Sequence, residues 1–369
     1  MSAYQVCVRG SGIVGKSLAL GLARQGLSVA WVGPAATPGA VKEDVRTYAL
    51  SPRSVAFLRS LKVWDGLVDA HATPVQDMRV RGDLGAELHF SAYDAAVPEL
   101  NHIVDAGALE EALATALRFQ AHVTRVDEPV AAPLQAYCEG KHSQVHESLG
   151  VRFERRPYRH TAMAARLVSD RPHHGTAWQW FQSGEVVALL PFGSPEGGFS
   201  YGLVWSMPEQ LAAERMAADA DSVLALLQAR VGDEAGQLAW ASGRASWPLM
   251  RAQVDRWAGP GWVLVGDCAH VVHPLAGQGL NLGLGDVHAL CEVLAQREAW
   301  RDLGDERLLR RYQYLREGPV GDMARVCDGL WQLFTPDVSA LRTLRNLGLQ
   351  AAQSVGPVRQ WLMRQALEA

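Results

Sequence analysis

The run Gly10-Ser11-Gly12-Ile13-Val14-Gly15 constrains this chain most, because of what flanks it. Before it, residues 4–8 (Tyr-Gln-Val-Cys-Val) read as a short buried strand. After it, residues 16–25 put Leu18, Leu22 and nearby alanines on one apolar face, the spacing of a helix, and Gly26 supplies the stop. Residues 28–32 (Ser-Val-Ala-Trp-Val) then read as a second strand. Strand, glycine turn, helix, strand is the setting in which a G-x-G-x-x-G run binds a dinucleotide. Gly10 allows the tight turn, Gly12 lets backbone N–H groups approach a pyrophosphate, and Gly15 lets helix and strand pack closely. The helix N-terminus adds partial positive charge for the phosphates. An acidic residue is expected at the end of the second strand, on the ribose hydroxyls. Gly33 stands there instead, followed by Pro34.

Composition narrows the remaining choices. The 369 residues carry a formal net charge of −4, which removes the electrostatic case for a nucleic-acid binder. At 48% hydrophobic and 20% charged, the chain can bury a large core and is not globally disordered. Apolar runs such as residues 262–265 are too short to cross a bilayer. The first five residues lack the pattern of a signal peptide. Five cysteines, far apart and without metal or redox spacing, suggest reduced thiols in a cytosolic protein. Twelve tryptophans favour a site for flat apolar molecules, although core packing alone could use them.

A second glycine cluster speaks to the cofactor. Residues 261–286 read GWVLVGDCAHVVHPLAGQGLNLGLGD. A short apolar strand ends in Gly266 and Asp267, a Pro/Gly-rich turn follows over residues 274–279, and a helix runs from about residue 281. Asp267, at a strand's C-terminal end, is placed to grip sugar or ribityl hydroxyls. Gly277 and Gly279 let backbone lie against a flat ring. The next helix N-terminus can stabilise negative charge developing on that ring.

The GDCAHVVHPLAGQGLNLGLGD stretch resembles the second flavin-binding motif of the FAD-dependent aromatic hydroxylases related to para-hydroxybenzoate hydroxylase. The nearest likeness is to their ubiquinone-biosynthesis (UbiH/UbiF-like) branch. Residues 44–51 (DVRTYALS), the ALLPFG core at 188–193 and residues 309–312 (LRRY) agree in order, as do 328–334 and 345–349. The resemblance implies an α/β fold: a Rossmann-like FAD-binding domain interleaved with a mixed β-sheet substrate domain, and a helical C-terminal tail. It divides the chain into 1–75, 100–155 and 255–300 for FAD, 76–99 and 156–254 for substrate, and 301–369 for the tail. It also implies FAD contacts from Gly10, Ser11, Gly12, Ile13, Val14, Gly15, Arg46, Glu139, Gly266 and Asp267. Pro274, Gly277, Gln278, Gly279, Leu280 and Asn281 would line the flavin ring. NAD(P)H would reduce the flavin as a transient reductant, and dioxygen would then supply one oxygen atom to an aromatic or prenylated phenol. The cofactor carries that chemistry, so no catalytic side chain and no metal are expected.

Four positions depart from the family pattern. Gly33 replaces the ribose-binding acid, and Gly107 stands where an arginine usually lies near the phosphates. In residues 138–146 (CEGKHSQVH), Glu139 replaces the motif's aspartate and His146 its arginine. Loss of two charged contacts would cost about 1.5–3 kcal/mol each in FAD binding. Two readings therefore stand: an active FAD-dependent aromatic hydroxylase, or a weakened family member acting as a partner or scaffold for related hydroxylases. A plain NAD-dependent dehydrogenase would leave the second motif without a role. His270 and His273 could be read as metal ligands, but no third ligand joins them at a compatible spacing.

Trp178, Trp180, Phe192, Phe199, Tyr201 and Trp205 fall on strand-like segments and could form a substrate wall or simply pack the sheet. In the tail, Leu308, Tyr312 and Leu315 mark one apolar helix face, and Leu341, Leu344, Leu347 and Leu362 another. Its arginines suit either solvent or an anionic lipid surface. The protein is expected to be cytoplasmic, or peripheral to the inner membrane, where the C-terminal helices would meet lipid or ubiquinone-biosynthesis proteins.

Overall fold

A computed structural model describes residues 3–33, 44–67, 71–82, 85–182, 184–193, 199–273 and 277–334. Its first sheet is the dinucleotide-type one. Val6–Arg9 lies at the centre, parallel to Val29–Val32 on one side and to Leu134–Tyr137 on the other. Val123–Val126 extends one edge, and Trp262–Leu264 extends the other, both in parallel. Ala258–Gly259 closes that edge antiparallel. Parallel neighbours need crossovers, and the helix Ile13–Arg24 supplies the first. Its residues Leu18 and Leu22 are fully buried, as the spacing predicts.

The second sheet is mixed and larger. Phe153–Ser169, Phe199–Pro208, Glu185–Gly193 and Thr176–Gln182 follow one another antiparallel. Asp77–Arg81 then joins in parallel, with Glu87–Ser91 antiparallel beyond it. Ala245–Val254 pairs on the other side of Phe153–Ser169, and His270–Val271 pairs with it. The motif segment thus leaves the first sheet at Leu264 and enters the second at His270. The turn it carries is thereby fixed between the two sheets. A small third sheet joins Thr47–Leu50, Asn101–Asp105 and Ala72–Val75.

Side chains alternate across a strand, and the second sheet uses that alternation to divide its labour. Trp178, Trp180, Tyr201 and Trp205 share one face with Met163, Ala165, Val187 and Leu189. The helices Glu209–Ala217 and Ala220–Val231 cover this face through Ala212, Val223 and Leu227. These four aromatics are therefore core, which settles the choice left open for them. Phe192 points the other way, with Ala177, Val75 and Ile103. Phe199 is 43% exposed. The inner face holds small residues along its middle, with Ala162, Ala164 and Ser206 all buried there.

The helix Gly279–Ala295 packs against the helix Glu306–Phe334. Leu308 and Tyr312 are fully buried, but Leu315 is 55% exposed. Arg316 takes the inward position instead, at 5% exposure. The apolar-face expectation fails there for an electrostatic reason: Asp286 lies buried opposite and takes Arg316 as its counter-charge. Leu341, Leu344, Leu347 and Leu362 lie outside the described residues.

Candidate functional site

The two glycines that shape the first turn are required by contact. A Cβ on Gly10, whose φ is +133°, would stand 2.2 Å from the Cys138 carbonyl oxygen. One on Gly15 would stand 2.2 Å from the carbonyl oxygen of Gly10. Gly12 differs, because a Cβ there meets nothing within 4 Å. Gly12 therefore opens the turn towards a ligand, while Gly10 and Gly15 close it against the protein. Ile13 is buried and Val14 packs behind Gly266 and Gly283, where added Cβ atoms would lie 3.2 and 2.9 Å from its methyls. Ser11 precedes Gly12, the N-cap of the helix.

The end of the second strand is rebuilt around Trp31. Its Nε1 donates to the Gly10 carbonyl oxygen at 3.0 Å, and a Cβ on Gly33 would lie 2.8 Å from its ring. The indole occupies the space that a side chain at position 33 would need. The missing acid is thus part of a local repacking and not an isolated loss.

Asp267 and its neighbours form the second half of the site. Gly266 has φ +64°, a left-handed backbone that favours glycine. Its N–H donates to Oδ2 of Asp286 at 2.9 Å. The same oxygen receives Nε2 of His270 at 2.6 Å, while Oδ1 accepts from Nε of Arg316 at 2.7 Å. Burial alone would raise the Asp286 carboxyl, but His270 and Arg316 together hold it below the usual carboxylate range. His270 is thereby committed to a carboxylate, not offered to a metal. Asp267 itself has no hydrogen-bond partner among the described residues, and desolvation pushes its carboxyl up. A desolvated acceptor without a donor is costly unless a ligand supplies one.

The glycine turn beyond is anchored at both ends, while residues 274–276, and with them Pro274, lie outside the described residues. His273 is 1% exposed and meets the ring of Tyr158 edge-on at 4.5 Å. Gly277 has φ +65° and lies against Ala49, where an added Cβ would be 3.5 Å away. Ala49 packs in turn with Phe192 and Leu190 of the inner sheet face. Asn281 locks the far side. Its Oδ1 accepts from Ser51 N at 3.0 Å, and its Nδ2 donates to the Ala49 oxygen at 2.9 Å and to Oε1 of Gln278 at 2.8 Å. The side chains of Asn281 and Gln278 are thus engaged with one another and with the protein. A Cβ on Gly279 would meet nothing within 4 Å, as at Gly12. Leu280 is partly buried beside it.

The other expected residues are engaged locally. Nε of Arg46 donates to Oδ1 of Asp44 at 2.8 Å, and Asp44 keeps the guanidinium firmly charged. Glu139 accepts from Nε of Arg9 at 2.9 Å and from Oγ of Ser143 at 2.6 Å. Its longer side chain reaches a protein cation. His146 is buried, with Nε2 2.7 Å from the Cys268 carbonyl oxygen and Nδ1 3.2 Å from that of Ser143. Its ring joins the residue 138–146 loop to the Gly266–Asp267 turn. Gly107 lies in the first turn of the helix Ala106–Arg118, where Asp105 caps Ala108 N at 2.8 Å. Oδ2 of Asp105 is paired with Arg166 at 2.5 Å, so a cation reaches this helix start from the second sheet.

These residues fit FAD: two open glycines, a carboxylate awaiting a donor and a turn held against Ala49. Comparison with known proteins agrees. Residues 112–324 match the family described as FAD binding domain. The ubiquinone hydroxylase UbiL of Rhodospirillum rubrum is 31% identical over 98% of this chain and 89% of its own length. The 3-demethoxyubiquinol 3-hydroxylase of Escherichia coli is 30% identical over 98% of both chains. Among solved structures, PqsL of Pseudomonas aeruginosa in complex with 2-aminobenzoylacetate superposes with a TM-score of 0.79 at 22% identity, over 94% of this chain and 99% of that one, a likeness of fold. The chain belongs to the family of FAD-dependent aromatic hydroxylases related to para-hydroxybenzoate hydroxylase and shares its branch with the ubiquinone-biosynthesis enzymes.

Proposed function

We propose that this FAD-dependent monooxygenase hydroxylates the ring of a phenolic ubiquinone precursor bearing a prenyl tail, with NAD(P)H and dioxygen as co-substrates. One observation carries the reading: Asp267, desolvated at the end of the motif strand, has no hydrogen-bond donor among the described residues, and a Cβ at Gly12 or Gly279 meets nothing within 4 Å. The full-length likeness to two quinone-pathway hydroxylases favours this enzyme over the scaffold alternative.

The residues divide the work. The turn from Gly10 to Gly15 and the helix behind it would receive the pyrophosphate. Asp267 would accept from ribityl hydroxyls, with Arg46 and Glu139 bordering the same groove. Backbone at Pro274, Gly277, Gln278, Gly279, Leu280 and Asn281 would lie along the flavin ring. When bound, the flavin takes a hydride from NAD(P)H and activates dioxygen for transfer of one atom to the ring. The chain itself contributes position and dryness. Asp286, His270 and Arg316 fix the Gly266–Asp267 turn from behind, and Asn281 fixes the ring-side turn. In this scheme residues 1–75, 100–155 and 255–300 form the FAD unit, and 76–99 and 156–254 the substrate unit.

Among the described residues no helix is long and apolar enough to cross a membrane. A prenylated substrate partitions into lipid, and the tail carries Arg342, Arg345, Arg359 and Arg364. Tyr314 and Leu315 of the preceding helix are exposed. Together these support peripheral docking at a membrane surface through the C-terminal helices.

The test is a titration of apo-protein with FAD, followed by NAD(P)H oxidation with 2-prenylphenol. Stoichiometric flavin uptake and phenol-stimulated oxidation support the proposal. A protein that stays colourless after incubation with FAD overturns it.

A further inference from the structure

Two buried ring nitrogens without a hydrogen-bond partner among the described residues stand together beside the glycine turn. One is Nε2 of His160, a residue only 8% exposed, and the other is Nε1 of Trp331 on the C-terminal helix. The two rings meet edge to face, with centroids 6.0 Å apart. Tyr158 packs against Trp331 at 4.9 Å and against His273 at 4.5 Å. The pair therefore lies next to the residue that leads into the turn. Folded proteins rarely leave such atoms unpaired, and two in neighbouring rings call for a common partner.

The nitrogens define the chemistry of that partner. Nδ1 of His160 lies 3.1 Å from the Tyr158 carbonyl oxygen, which only accepts. In the neutral ring the proton then sits on Nδ1, and Nε2 presents a lone pair. Indole Nε1 only donates. The missing group must donate to one nitrogen and accept from the other. A hydroxyl does both, whereas a methyl ether or a carboxylate does not.

The surroundings suit an aromatic carrier for that hydroxyl. His160, Ala162 and Ala164 are alternate residues of Phe153–Ser169, on the face opposite Met163 and Ala165. Next to His160, therefore, the strand offers the methyl groups of Ala162 and Ala164, before Arg166 on the same face. The C-terminal helix is held over this strand by Asp328, which accepts from the Tyr158 hydroxyl and pairs with Arg251.

The structure assigns the phenolic hydroxyl of the substrate to His160 and Trp331, with Trp331 donating to its oxygen and His160 accepting its proton. This rests on the phenol-hydroxylase reading above and adds the C-terminal helix to substrate recognition.

The test compares 2-prenylphenol with its O-methyl ether, by calorimetric titration of the FAD-loaded full chain. The hydrogen bond donated to His160, which the ether cannot make, should make the wild type prefer the phenol by about fivefold to tenfold. His160→Phe should bring that ratio to within about twofold while leaving affinity for the ether unchanged, whereas Trp331→Phe should weaken both compounds by about fivefold, because either oxygen accepts from the indole N–H. Thermal melting confirms that each variant is folded. His160→Gln, which keeps an acceptor, should retain most of the preference. A phenol preference that survives in His160→Phe, or affinities for both compounds unchanged in Trp331→Phe, overturns the assignment and leaves the hydroxylase reading intact. A wild type that binds neither compound overturns that reading, and this assignment with it.

Discussion

Nε of Arg316 lies 2.7 Å from Oδ1 of Asp286, and both side chains are buried. This ion pair connects the last helix to the turn that carries Asp267, because Oδ2 of Asp286 also receives Gly266 N. Removing only the guanidinium takes from the buried Asp286 carboxylate its arginine counter-charge and leaves it only His270 and Gly266 N. Arg316→Met should therefore destabilise the fold by about 3–5 kcal/mol, read from urea denaturation. FAD affinity should fall in parallel, although residue 316 stands behind the Gly266–Asp267 turn. Unchanged stability would show that the pair is not what fixes the turn.

The glycines of the first turn should respond oppositely to the same substitution. Gly15→Ala drives a methyl into the Gly10 carbonyl and should cost several kcal/mol, of the order of an overpacked core. Gly12→Ala meets no protein atom and should leave the melting temperature nearly unchanged. Its methyl enters the groove assigned to the cofactor, so FAD binding should weaken by about tenfold or more. Equal stability losses at the two positions would contradict the distinction.

How far the sequence reveals this site depends on the range of the interaction. The Gly10–Gly15 turn, its flanking strands and the Gly266–Asp267 turn are local, and they read directly from spacing. Partners distant in the chain do not. Arg316 sits on a stripe that reads as apolar through Leu308, Tyr312 and Leu315, and only the fold reveals that Asp286 lies opposite. Trp31 reads as one more strand residue, yet its indole fills the place of a side chain at Gly33. His146 reads as a lost arginine, but its two nitrogens face carbonyl oxygens of separate segments. The single available hint was chemical: a charged residue inside an apolar repeat needs a reason.

Asp267 should behave as a residue kept for its ligand. Its carboxyl is desolvated and has no hydrogen-bond partner among the described residues. Asp267→Asn should leave the apo-protein as stable as the wild type, or slightly more so. FAD binding should weaken by about one order of magnitude or more, the value of a charged hydrogen bond to a hydroxyl. Thermal melting with and without FAD reads both effects. A loss of apo stability would assign Asp267 a structural role instead.

Stability should fall on mild acidification because of His273. Burial, reinforced by His160, holds its imidazole down to about 4 against an ordinary 6.5. Between those values the unfolded chain binds a proton that the folded chain does not. The contribution is fully present above pH 6.5 and is lost as pH falls through this window, by up to about 3 kcal/mol. In His273→Leu the dependence of the denaturation midpoint on pH over this range should flatten. An equal slope in the variant would assign the acid sensitivity to other groups.

The most direct measurement of the central claim is the fate of isotopic oxygen. Purified protein loaded with FAD would be supplied with NAD(P)H, 2-prenylphenol and ¹⁸O₂, and the product examined by mass spectrometry. The account predicts a ring-hydroxylated product carrying one ¹⁸O atom, formed in step with NAD(P)H consumption. NAD(P)H consumption that yields only hydrogen peroxide, or a hydroxyl oxygen drawn from water, would contradict it.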